Sequence, residues 1–199
     1  MKYLLFTTLF FYSLPSFGQT AEEYIKSAQS KAALNDFAGA ILDYDKAITL
    51  SPNYTAYHKR AASKAALNDY KGAIEDQSKA IELNPNDADA YFSRGMFKNL
   101  TDDRKGTIQD YSKAIELNPK HTRAYYFRGV IKVDLVDFKG AIQDFTKAIE
   151  LEPTHAKAYY YRGLLKGILE DKNGACLDLR KAEELGSTDA SVTVKEICK

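Results

Sequence analysis

The sequence predicts an all-α fold made of repeated pairs of antiparallel helices. Three observations carry that expectation. Beyond the first 18 residues, the prolines Pro52, Pro85, Pro119 and Pro153 are spaced by 33, 34 and 34 residues. Gly39, Gly72, Gly106, Gly140 and Gly174 keep this step, and so do Asp36, Asp69, Asp103, Asp137 and Asp171. Self-similarity at such a period marks a stacked repeat architecture. Within one period, Ala73, Ile74, Gln77, Ala80 and Ile81 fall at i, i+1, i+4, i+7 and i+8. That is the stripe of an amphipathic helix, with one polar member.

Residues 1–18 come first and stand apart. Lys2 is their only charge, and a mostly apolar stretch of 12 residues runs from Tyr3 to Leu14. Pro15 and the small residues Ser16 and Gly18 follow, as at a cleavage site. This is the pattern of a secretory signal peptide. It is too short to span a bilayer, which needs about 20 apolar residues. The expected product is exported, periplasmic or extracellular, and cut near Gly18. No segment of the mature chain is apolar enough to cross a membrane.

Each repeat then reads as two helices. The first runs from about Ala56 to Leu67 in the second copy. Asp69 is placed to cap the second by accepting from free backbone N–H groups. Asn84-Pro85 ends it, because proline lacks an N–H and restricts the residue before it. Five copies span residues 21–187, bounded as 21–53, 54–87, 88–121, 122–155 and 156–187. Residues 188–199 carry Ala190, Val194, Ile197 and Cys198 on one stripe and predict a capping helix. The third copy has Arg104, Thr101 and Thr107 where others have an aromatic, Leu and Ala. It is expected to be the loosest.

The 34-residue period, the two helices and the closing proline resemble the tetratricopeptide repeat. The stretch from Tyr125 to Pro153 resembles that family throughout. The resemblance implies a right-handed superhelical solenoid of antiparallel helix pairs, with the first helices lining a concave groove. It also implies binding of a protein or peptide rather than catalysis. The runner-up is a structural or self-assembling subunit, forming a homo-oligomer or part of a cell-envelope complex.

Composition narrows the partner. The chain has 28 Lys and Arg against 27 Asp and Glu. Removing residues 1–18 removes one Lys and leaves 27 of each sign. A nucleic-acid binder shows a basic excess or patch, so none is expected here. No phosphate loop, nucleophile elbow or metalloprotease motif occurs, so no enzyme and no cofactor are expected. His121 and His155 lack a carboxylate or Cys at ligand spacing, so no metal site is expected.

By the family pattern, the groove column is His58, Phe92, Met96, Arg123, Tyr126, Val130, Lys157, Tyr160 and Leu164. Phe92, Met96, Tyr126, Tyr160 and Leu164 would bury apolar groups of a partner, with Arg123 and Lys157 orienting acidic ones. Lys and Asn are absent where a carboxylate clamp needs them. The phased Arg60, Arg94, Arg128 and Arg162 are expected to pair with Asp43, Asp76, Asp110 and Asp144 of the preceding copies. Ser27 would then need no partner, since no copy precedes it. The opening Tyr57, Tyr91, Tyr125 and Tyr159 are expected to lie beside Ala61, Gly95, Gly129 and Gly163. Cys176 and Cys198 form either a disulfide, as an even count in an exported chain invites, or two buried thiols.

Overall fold

The computed structural model describes residues 19–198. Residues 1–18, read as a signal peptide, lie outside them, and with them the expectation of export. Eleven helices follow one another among the described residues. They are α1 (Ala21–Ala33), α2 (Phe37–Leu50), α3 (Tyr54–Ala66), α4 (Tyr70–Leu83), α5 (Ala88–Leu100) and α6 (Arg104–Leu117). Then come α7 (Thr122–Asp134), α8 (Phe138–Leu151), α9 (Ala156–Ile168), α10 (Lys172–Glu184) and α11 (Thr188–Ile197). Each helix packs on the one before and the one after. The result is a right-handed superhelical solenoid of antiparallel pairs. No helix among the described residues is long and apolar enough to cross a membrane.

The phased Asp and Gly form one device. Asp69 caps α4 by accepting from the Gly72 N–H at 2.9 Å. A Cβ at Gly72 would stand 2.3 Å from the Asp69 carboxylate, so only glycine admits so close a cap. Asp36, Asp103, Asp137 and Asp171 repeat this on Gly39, Gly106, Gly140 and Gly174. The residue before each capping Asp turns the chain with positive φ. Asn35, Asn68, Asp102, Val136 and Glu170 stand at 61 to 66°.

In the third and fourth copies the small residue of the first helix also lies against a ring of the second helix. A Cβ at Gly129 would lie 2.9 Å from the Phe145 ring of the second helix. Tyr44, Tyr111, Phe145 and Leu179 hold this core place in four copies, fully buried. Gln77 holds it in the second. The opening tyrosines, four residues before the small ones on the same helix, lie beneath the arginine of their own helix, with guanidinium carbons 5.5 to 5.7 Å from the ring centres. The odd polar residues of the third copy are partnered. Thr107 is buried and donates to the Asp103 carbonyl, and Arg104 reaches Asp134 of the next copy.

The last helix is more than a lid. Ser187 caps α11 by accepting from the Ala190 N–H, as Asn53, Asp87, His121 and His155 cap the earlier first helices. Ala190 is fully buried, like Ala56, Ala90, Ala124 and Ala158 at the same place. So α11 stands where the first helix of a sixth repeat would. Lys195 then falls where the others carry Ala or Gly, an exposed charge on the face that elsewhere receives the second helix. At the other end, α1 presents Glu23, Lys26 and Ser30, all exposed. Their counterparts in the fourth copy, Ala124, Phe127 and Ile131, are buried or half-buried against the preceding pair.

Candidate interaction groove

The charged residues fix the scaffold before they serve any ligand. Arg94 grips Asp110 with two parallel bonds, Nε at 2.9 Å and Nη2 at 2.7 Å. Lys98 adds a third contact to Asp110 at 2.9 Å. The same trio recurs as Arg60, Lys64 and Asp76, as Arg128, Lys132 and Asp144, and as Arg162, Lys166 and Asp178. The carboxylates are buried. Asp110's hydrogen bond holds the Arg94 guanidinium above its ordinary value, against the effect of burial. These pairs lie within one copy, which corrects the expectation of Asp43–Arg60, Asp76–Arg94, Asp110–Arg128 and Asp144–Arg162 pairs. The two separations differ by only one or two residues. The antiparallel hairpin decides between them, because it sets the two residues of one copy face to face.

A seam contact nevertheless exists. The free Nη1 of each arginine turns to the preceding copy. Arg94 donates to Ser78 at 3.2 Å, Arg128 to Ser112 at 3.0 Å and Arg162 to Thr146 at 3.1 Å. Arg60 donates to the carboxylate of Asp45. In the first copy, Ser27 and Lys31 take over Asp43, at 2.7 and 2.6 Å. The Lys31 hydrogen bond holds the Asp43 carboxyl below its ordinary value. With no preceding copy, a third arm would have nothing to grip.

The expected groove column divides in two. Phe92 is 3% exposed and Tyr126 9%, so neither offers its face to a partner. Phe92 stacks with Tyr111 and lies against His121 and Phe127, and the Arg123 guanidinium covers it at 4.7 Å. Tyr126 packs on Phe127, Phe145 and His155, and burial pushes its phenol up to about 12. These rings seal the seams between copies. Met96, Val130, Tyr160 and Leu164 are half-buried, while Arg123 and Lys157 are exposed. His58 is half-buried and stacks on Tyr54. Its Nδ1 meets the Gln77 amide at 3.1 Å. Burial first, and then the charge of Lys59, hold His58 below its ordinary value.

Sequence reasoning missed His121 and His155. Each accepts a backbone N–H through Nδ1, from Ala124 and Ala158 respectively, and each lays its ring on the groove ring of its copy. Their phase just before the first helix was the available signal. Cys176 and Cys198 stand at disulfide distance, Sγ–Sγ 2.06 Å, and tie α11 to α10. Both are half-buried beside a cleft of about 510 Å³.

Comparison with known proteins agrees with this geometry. A model described as "Tetratricopeptide repeat" matches residues 21–54 and 122–155, and one described as "TPR repeat" matches 63–99. Together they cover more than half of the chain. No curated protein matches the sequence. Among solved structures, a MamA crystal structure superimposes with a TM-score of 0.77 at 27% identity, over 82% of this chain and 96% of that one. YrrB, described as a TPR protein with an unusual peptide-binding site, gives 0.76 at 25%, over 88% and 92%. PilF of Pseudomonas aeruginosa gives 0.73 at 17%, over 84% and 77%, and shares the fold.

Proposed function

The chain belongs to the tetratricopeptide repeat family, and on that premise we propose that it is an exported scaffold that docks a protein or peptide segment along the inner face of its third to fifth copies. One observation carries the reading. Arg123 and Lys157 are exposed and make no ion pair among the described residues, and they flank the half-buried Met96, Val130, Tyr160 and Leu164. An apolar strip edged by cations that have no ion pair among the described residues fits a segment that alternates apolar and acidic residues. The reading assigns the protein no catalytic step. Export rests on the pattern of residues 1–18. The peptide-binding site of YrrB supports groove recognition by analogy of fold.

The test is cross-linking capture of the exported chain in its own compartment, against Val130→Glu with Leu164→Glu. Loss of the cross-linked partner is expected while circular dichroism still shows a folded helical array, with some fall in melting temperature because both side chains are half-buried. Capture that ignores both substitutions would sink the groove reading. Terminal sequencing of the exported chain tests cleavage near Gly18. An intact residue 1 on the cellular protein would refute it.

A further inference from the structure

The inner face repeats a ring-on-ring stack, and the last copy lacks half of it. In the third copy the His121 imidazole lies on Phe92, with centroids 4.8 Å apart. Its Nε2 stands 3.2 Å from Asp89. In the fourth copy His155 lies on Tyr126 at 4.7 Å. In the fifth, the corresponding residue is Ser187. Its hydroxyl still caps the following helix, but it brings no ring. Tyr160, the counterpart of Phe92 and Tyr126, has one ring neighbour among the described residues, Tyr161, edge-on at 5.6 Å. Where the imidazole would lie is a cleft of about 350 Å³, lined by Lys157, Tyr160, Tyr161, Leu185, Ser187 and Asp189. Beside it Lys157 stands where the third copy has Asp89 and the fourth Arg123, and here no imidazole lies between it and the cleft.

We propose that this cleft is a binding subsite for an aromatic side chain carrying an adjacent carboxylate, as at the C-terminal residue of a partner segment. The ring takes the vacant place on Tyr160, in the offset or edge-on geometry that aromatic pairs prefer. The carboxylate pairs with Lys157, a charge-assisted contact. Asp189 on the other wall repels a carboxylate there, which fixes the orientation. The subsite rests on the groove reading above and names the chemistry taken at its C-terminal end.

The probe is N-acetylphenylalanine with a free carboxylate, titrated into the exported chain and followed by NMR. Saturable shifts confined to Lys157, Tyr160, Ser187 and Asp189 are expected. N-acetylphenylalanine amide and N-acetylleucine should bind at least about 5-fold more weakly. Ser187→His restores the imidazole of the third and fourth copies and keeps a cap. It should abolish the shifts and leave the melting temperature unchanged or higher. Lys157→Gln should reduce the acid to the affinity of the amide. Undiminished binding by Ser187→His, equal binding of acid and amide, or no saturable shift in the natural chain each overturns the subsite. Capture that stays sensitive to Val130→Glu in those cases removes the subsite alone and leaves the groove reading standing.

Discussion

Arg128 shows how one side chain joins three positions. It binds Asp144 twice within its copy and Ser112 across the seam. Removing it leaves Asp144 buried with Lys132 alone. Arg128→Ala should therefore cost about 2 kcal/mol in urea unfolding and leave peptide binding intact. The converse pattern would make the arginine a ligand contact. Val136 is the weak residue of the turns. It is β-branched, 69% exposed and held at φ 62°, a conformation in which a side chain crowds the backbone. Val136→Gly should raise stability by about 1 kcal/mol in the same assay. His58 sets a pH dependence. Its folded value lies below the ordinary 6.5, so the unfolded chain binds the proton first. Its contribution is complete above 6.5 and is lost as the pH falls below that value. Stability measured from pH 8 to 5 should fall less steeply for His58→Gln. An identical slope would contradict the half-buried, neutral ring.

At the scale of the helix, α11 depends on its tether. Ala190 is its only fully buried residue, and the Cys176–Cys198 link closes a loop of about 20 residues. Such a closure is worth about 3 kcal/mol. Reduction should speed amide exchange across Thr188–Ile197 and leave α3 to α8 unchanged. Uniform acceleration would mean that the cap supports the whole array. Helix boundaries were legible in the sequence because the capping Asp, the N3 Gly and the closing Pro each act within a few residues. The site was half legible. Arg123, Lys157 and Leu164 could be placed by phase. Phe92 and Tyr126 could not be told from exposed rings, because what buries them is His121, His155 and Arg123 from neighbouring turns. The partner of each arginine was hidden for a related reason. Spacings of 16 and of 17 or 18 both reach a facing Asp, and only tertiary packing chooses between them. The register of α11 with the earlier first helices was hidden by its offset, since a single helix shows no complete period.

Across the whole molecule, both end faces of the described array carry polar residues. Glu23, Lys26 and Ser30 make the first face polar, and Lys195 occupies the place where a second helix would dock. Repeat arrays need such caps to stay soluble. The natural chain should therefore run as a monomer in light scattering at micromolar concentration, and Lys195→Gly alone should not change this. A defined oligomer would instead support the assembly reading. The seam contacts carry a mechanical consequence. Each arginine acts as a clip between neighbouring coils, so the superhelix is a spring whose stiffness is set at its seams. Three clips end on a neutral hydroxyl, whereas the first ends on the Asp45 carboxylate. Dissolved ions weaken only the charged one appreciably. Stretched in rising salt, the spring should soften from its N-terminal coil and keep its tension over the third to fifth copies.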